Sequence, residues 1–320
     1  MGALSILSGV LALLPIICSL AVLIGLDVGR DSSSPPLFNP EKPKGPDGKP
    51  LDNGIKHKSY CDETIGISPP AKGDHYTLNP NPWNWEEGDE GSLCLNVTTF
   101  NNQTYPTDSS APEFSVTWQY PPGPPSSPVH AYPNVKVDSG VFPNQIKNID
   151  EMMLDFEWTY AVGNLTVETT DEKALNASNV NANVALDLFL DQDKKKAQIS
   201  EDASTEIMVW FAAFGPATQP IGRDDGSLDE QELDGTKFTL YSGKNGVGQF
   251  VLTWYCEDPA PKFHGDLQPL VDRLVEMGDT NFPTESDYIG YMAVGTETYF
   301  SDDYVTFHVP QLAIDVHLKD

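Results

Sequence analysis

An all-β fold of two packed antiparallel sheets, a jelly roll with one helix and an open concave cleft, is predicted by three observations. Short runs rich in Val, Phe, Tyr, Trp and Thr recur from Tyr60 to the end of the chain. Gly, Pro, Asn and Asp break them at short intervals. Only one later stretch places apolar residues at helical spacing. Many strands and one helix, in a chain of 320 residues, fit a single large β domain.

Met1 to Leu26 is uncharged and mostly apolar. At about 1.5 Å per helical residue such a run reaches across a hydrocarbon core of roughly 30 Å. It lacks the basic start of a secretory signal, and Pro15 interrupts it, while Ser19-Leu20-Ala21 offers a weak cleavage site. It is therefore expected to be a cleaved signal or a retained membrane anchor, and either exports the rest. Residues 27–59 read as a disordered linker, with Pro35, Pro36, Pro40, Pro43, Pro46 and Pro50 among Ser, Gly, Lys and Asp. The folded domain is expected to occupy 60–320.

Within that domain the expected strands are Glu113–Tyr120, Leu154–Tyr160, Ala182–Leu190, Thr205–Phe211, Lys237–Tyr241, Gln249–Tyr255, Ala293–Phe300 and Tyr304–His308. Pro121–Pro128 reads as a Pro-rich turn. The helix is expected over Asp266–Met277, with Leu267, Leu270, Val271 and Leu274 as its apolar stripe and Pro269 in its first turn. The acidic stretch Arg223–Glu230 has the wrong spacing for a calcium-binding EF-hand loop and reads as a solvated hairpin.

Composition narrows the function. With 47 acids against 19 bases the net charge is −28, which disfavours nucleic acid as a partner and allows a neutral polymer. Glycosylation acceptors occur at Asn96, Asn102, Asn164 and Asn176, consistent with an exported protein. Cys61 and Cys94 could pair in an oxidising compartment; Cys256 reads as a buried free thiol. There is no Gly-x-Ser-x-Gly elbow, phosphate loop or zinc-ligand spacing, so no metal or cofactor is called for. Nothing demands more than a monomer.

Two glutamates in strand-like runs carry the chemistry. In Thr205-Glu206-Ile207-Met208-Val209-Trp210-Phe211, alternation puts Glu206, Met208 and Trp210 on one face and Ile207, Val209 and Phe211 on the other. Glu297 follows Thr296 in a similar run. An acid on a strand is ordinarily just solvated. Two in such apolar settings fit glycosidic bond cleavage, which needs one carboxyl at the sugar carbon and one to protonate the leaving oxygen. Asp187 shares a face with Asn183, Ala185 and Phe189, opposite Val184, Leu186 and Leu188, and can hydrogen-bond Glu206 if their strands are neighbours. Trp83, in Asn79-Pro-Asn-Pro-Trp-Asn-Trp85, is the best candidate sugar platform, with Asn81 beside it to bond hydroxyls. Phe156, Trp158 and Tyr160 read as core.

These residues resemble glycoside hydrolase family 12, the endo-β-1,4-glucanases and xyloglucan-specific endoglucanases. The resemblance runs from Tyr60 to His317 and rests most on Glu206-Ile-Met-Val-Trp210, Gln219-Pro-Ile-Gly222 and Gly295-Thr-Glu297. Asn81-x-Trp83, Val129-His-Ala-Tyr-Pro-Asn134, Asn183-Val-Ala-Leu-Asp187 and Gly265-Asp-Leu267 follow in the same order. It implies a retaining endoglucanase acting on xyloglucan or another β-glucan, with Glu206 as nucleophile and Glu297 as acid/base. Asp187 would sit against Glu206; Asn81, Trp83, Asn183, Met208 and Tyr299 would line the glucose subsites; Cys61–Cys94 would be a disulfide. Retention implies carboxyls roughly 5–5.5 Å apart, and acid catalysis implies that Glu297 is the harder of the two to ionise. The chain departs from the usual family pattern at Asn84, where Gly is common, after Glu297, and in the Pro121–Pro128 insert. A family 11-like xylanase and a non-catalytic carbohydrate-binding or recognition protein are the alternatives. Met208 and Trp210 argue against the first, the presence of both glutamates against the second.

Overall fold

The computed structural model describes residues 55–320 apart from 62–65, 74–75, 101–104, 126 and the last residue. The apolar leader and nearly all of the expected linker lie outside the described residues. The strands in chain order are β1 (Ile55–Cys61), β2 (Tyr76–Asn79), β3 (Ser92–Phe100), β4 (Glu113–Gln119), β5 (Asn134–Val137), β6 (Asn144–Gln145), β7 (Ile149–Val162) and β8 (Asn181–Asp191). Then come β9 (Thr205–Phe214), β10 (Asp229–Leu233), β11 (Thr236–Lys244), β12 (Phe250–Cys256), β13 (Lys262–Asp266), β14 (Tyr288–Gly295), β15 (Thr298–Phe300) and β16 (Val305–Leu318). The helices are α1 (Glu172–Ala177) and α2 (Gln268–Met277).

One sheet runs β1-β3-β4-β16-β7-β13 and the other β10-β11-β12-β9-β8-β14-β5-β2, with β15 on β8 and β6 on β14. This is the predicted two-sheet architecture, with one difference: β12 lies parallel to β9. The sheet begins at Ile55, ahead of the boundary expected at Tyr60. β1 and β3 are joined by the Cys61–Cys94 disulfide, between directly paired residues.

The core fills the space between the sheets. Trp118, Phe156, Trp158 and Tyr160 from the six-stranded sheet meet Ile207, Val209, Phe211 and Trp254 from the ten-stranded one. Burial of such aromatics contributes most of the hydrophobic driving force. Ring pairs lock across the layers, Phe156 edge-on to Phe211 at 5.5 Å and Tyr160 edge-on to Phe214 at 5.4 Å. A buried hydrogen-bond chain also crosses: Trp118 Nε1 donates to the Tyr160 hydroxyl at 2.9 Å, which meets Thr296 Oγ1 at 2.9 Å.

α2 starts at Gln268, not Asp266. Asp266 ends β13 instead, and its carboxylate accepts from the Met152 and Gln268 amides at 2.8 and 2.9 Å. Leu270, Val271 and Leu274 are buried as the stripe predicts. α1 is too short for a periodicity signal; Asp171 caps it by accepting from the Lys173 and Ala174 amides. The acidic stretch makes a 3-10 turn at Arg223–Asp225 and then β10, which pairs with β11.

Candidate active site

The face of the ten-stranded sheet turned away from the core carries the site. Register alone brings its residues together. Lys136, Ala293, Asp187, Met208, Thr253 and Tyr241 form one row across β5, β14, β8, β9, β12 and β11. A neighbouring row runs Tyr291, Phe189, Glu206, Val251. Met208 and Trp210 pack with Ala185, Tyr241, Val251 and Tyr255 in a small cluster of their own, while Ile207, Val209 and Phe211 belong to the main core. The alternation read in β9 is therefore the structural one. At Phe211 the β8–β9 register shifts, so Phe211 and Ala212 both face the core.

Glu206, partly buried on β9, hydrogen-bonds Asn245 from the turn after β11. Burial, together with repulsion from Glu297, pushes its carboxyl up to about 8. Glu297 sits between β14 and β15. Its amide donates to Asn183 Oδ1 at 2.8 Å, the Asn183 amide donates back to the Glu297 carbonyl at 3.2 Å, and Asn183 Nδ2 donates to the carboxylate. Gly295, just before, has its Cα against Pro133; a Cβ there would stand 2.2 Å from the Pro133 carbonyl oxygen, so only glycine lets β14 turn out toward Glu297 here. Burial raises Glu297 as well, to about 7, against the pull of hydrogen bonds from Asn183 and Tyr299, which favour its charged form.

Asp187 is buried, with one carboxyl oxygen unpartnered. Burial and the charges of Glu206 and Glu297 hold it well above the usual carboxylate range. Asp187 pairs with Met208, so it is the diagonal neighbour of Glu206 on the adjacent strand. Three acids therefore share one low-dielectric face, a pattern that marks functional sites.

The remaining expected residues divide. Trp83 is 57% exposed, the most open aromatic ring among the described residues. Asn81 holds φ at +47°, a conformation Asn tolerates better than most, and its Nδ2 donates to the Tyr132 carbonyl at 3.2 Å. Met208 is buried and its sulfur accepts from Trp210 Nε1 at 3.4 Å. Asn183 has no exposed surface and Tyr299 is buried, and both hydrogen-bond Glu297.

Some neighbours were assigned no role from the sequence. Tyr132, buried, bonds Asp187 and donates to the Ala185 and Ala293 carbonyls at 3.3 and 3.2 Å. Asn245 and Tyr291 also face the acids. Arg223 lies over the Tyr255 and Tyr241 rings at 4.9 and 5.9 Å and pairs with Glu257 at 3.1 Å. Among the described residues no group of His, Cys, Asp and Glu has the geometry of a metal site. Asn164 and Asn176 are exposed and Asn96 is partly so; Asn102 lies outside the described residues. Cys256 is free and buried, which pushes its thiol up to about 11.

Residues 74–317 match the family model described as glycosyl hydrolase family 12. A xyloglucan-specific endo-beta-1,4-glucanase A of Emericella nidulans is 29% identical over 247 residues, covering 77% of this chain and 87% of that protein. The protein of the same name from Aspergillus niger is 26% identical over 234 residues, covering 73% and 82%. The fold matches Trichoderma harzianum endoglucanase 3 with TM-score 0.62 at 21% identity, over 82% of this chain and 98% of that one. It matches a family 12 xyloglucanase from Bacillus licheniformis with TM-score 0.58 at 15% identity, over 82% and 100%.

Proposed function

The chain belongs to glycosyl hydrolase family 12, and from that footing we propose that it is a retaining endo-β-1,4-glucanase whose preferred substrate is xyloglucan. The observation that supports this most is the pair Glu206 and Glu297. They stand on one sheet face, each held by its own amide donor, close enough that the charge of Glu297 raises the proton affinity of Glu206.

Glu206, ionised, attacks the anomeric carbon while the Glu297 carboxyl gives its proton to the departing glycosidic oxygen. The C–O bond breaks and a glycosyl ester forms on Glu206. Glu297, now a carboxylate, takes a proton from water; the water oxygen attacks the same carbon, the ester breaks, and both carboxyls return to their starting states. This cycle needs Glu206 charged and Glu297 protonated. A protonated Asp187, diagonal to Glu206 and with one oxygen unpartnered in the free protein, supplies the bias by turning its O–H to Glu206 in the working enzyme, which favours the nucleophile's charged form. Asn183 and Tyr299 fix the acid, and Trp83 stacks a glucose ring.

Export is supported by the Cys61–Cys94 bond, which suits an oxidising compartment, and by the exposed acceptors Asn164 and Asn176. Among the described residues no helix is long and apolar enough to cross a membrane.

The test is to incubate the full chain, beside Glu206→Gln, with xyloglucan, mixed-linkage β-glucan, carboxymethyl cellulose and xylan. Wild type should release reducing ends from xyloglucan fastest, with first products in the β configuration, and Glu206→Gln should bind without turnover. Xylan as the best substrate, or α-configured first products, would reject the reading.

A further inference from the structure

The exposed ring of Trp83 sits on a loop that its neighbour holds. Trp85, two residues on, packs against the core, and its amide donates to the Pro82 carbonyl at 3.3 Å. Between the two tryptophans, Asn84 makes four hydrogen bonds to a single distant segment. Its amide donates to the His130 carbonyl at 3.0 Å. Its side-chain Nδ2 donates to Ser127 O and Oγ, both at 3.1 Å, and to Val129 O at 3.0 Å. All the acceptors lie at the end of the Pro-rich loop 121–128 or just after it.

That loop is itself braced. Ser127 N–H closes a turn on the Pro124 carbonyl at 2.9 Å, and His130 Nε2 bonds the Pro121 carbonyl at 2.9 Å while its ring stacks on Tyr120 at 4.8 Å. From there the path leads to the acid. The His130 amide donates to the Thr298 carbonyl, and the Thr298 amide donates to the Ala131 carbonyl, each at 2.9 Å. Thr298 is the residue after Glu297. Backbone hydrogen bonds in a braced loop transmit position more faithfully than a free loop does, because each removes torsional freedom.

We propose that Asn84 is a positioning residue for the sugar platform: it clamps Trp83 to segment 127–131, and so holds the indole at a fixed spacing from the Glu297 carboxyl. The inference rests on the endoglucanase reading, because Trp83 and Glu297 must engage the same glucan chain. Asn84 need not touch that chain. With the clamp gone, Trp83 must be ordered each time a chain binds, so the loss falls on substrate capture and not on the bond-breaking step.

The experiment is a double-mutant cycle on the full chain, with xyloglucan as substrate and thermal unfolding as the check on folding. Asn84→Ala should raise KM about 5-fold and leave kcat within about 2-fold. In a Trp83→Ala background the same change should move KM by less than about 1.5-fold, because the ring it positions is gone. Asn84→Asp has the same shape but turns an acceptor toward three acceptor oxygens; it should raise KM at least as much as Asn84→Ala. Ser127→Ala removes one acceptor only, and should give a smaller rise that also vanishes without Trp83. An unchanged KM in Asn84→Ala, an equal rise with and without Trp83, or a fall confined to kcat would overturn the proposal. So would a Ser127→Ala rise that persists without Trp83, even if the Asn84 variants do not fold. Hydrolysis by wild type with any of these outcomes defeats this inference alone; no hydrolysis by folded wild type defeats the endoglucanase reading beneath it.

Discussion

At the scale of single residues, the three clustered acids set what each can do. Asp187 is the most enclosed, and its unpartnered oxygen is available to a proton shared with Glu206. Removing that donor should make Glu206 harder to ionise. Asp187→Ala should therefore move the acid limb of the kcat/KM pH profile upward, while Asp187→Asn, which keeps a donor, should move it less. A downward move in Asp187→Ala would mean that Asp187 works charged, since removing a negative neighbour eases ionisation of Glu206. Much of this cluster was legible in the sequence. A strand's period of two placed Glu206 and Met208 on one face, and Asp187 with Asn183 on another, and register then made those faces the same. The roles of Tyr132, which the Val129–Asn134 motif contains, and of Asn245 were not legible, because a tyrosine after a Pro-rich run and an asparagine in a turn acquire a role only when distant strands are set side by side. The hydrogen bonds that Asn183 and Tyr299 make to Glu297 turn on depth, which alternation does not encode.

At the scale of elements, the long strands were legible and their partners were not. β4, β8, β9 and β12 announce themselves by β-branched and aromatic runs; β6, of two residues, and α1, of six, are too short to show a period. The parallel pairing of β9 with β12 depends on where the β10–β11 hairpin goes, which no local pattern records. What joins the two sheets at the site is the Trp118–Tyr160–Thr296 chain, running from β4 and β7 to the turn that carries Glu297. Tyr160→Phe keeps the ring and deletes the link, leaving Trp118 Nε1 buried without its acceptor. We expect a loss of about 1–3 kcal/mol in denaturant unfolding. We also expect kcat to fall more than KM rises, because the Glu297 turn loses a brace. An unchanged stability would show that water replaces the hydroxyl at no cost.

For the whole molecule, charge governs behaviour with pH. Glu206 and Glu297 have folded-state proton affinities above their unfolded ones, so the folded form holds more protons between about 4.5 and about 8. Stability from these groups is complete below that window and is lost as pH rises through it. Self-repulsion among 47 acids and 19 bases works in the same direction. The melting temperature should thus be higher near pH 5 than near pH 8. Glu206→Gln should flatten part of the slope, and added salt should flatten the surface part but not the part from the buried acids. A melting temperature that climbs toward pH 8 would contradict this balance.

The cross-strand bond between Cys61 and Cys94 gives the sheet edge a mechanical consequence. β1 is antiparallel to β3, with Ile55 opposite Phe100 and Cys61 opposite Cys94. A pull on the chain ahead of Ile55 loads these pairs one at a time, like a zipper opening from its free end. The opening stops at the covalent rung, and the force passes into β3 and the six-stranded sheet. The backbone also runs on from Cys61 to β2, at the edge of the ten-stranded sheet, so the covalent rung takes a share of the strain that would otherwise follow the chain toward the cleft.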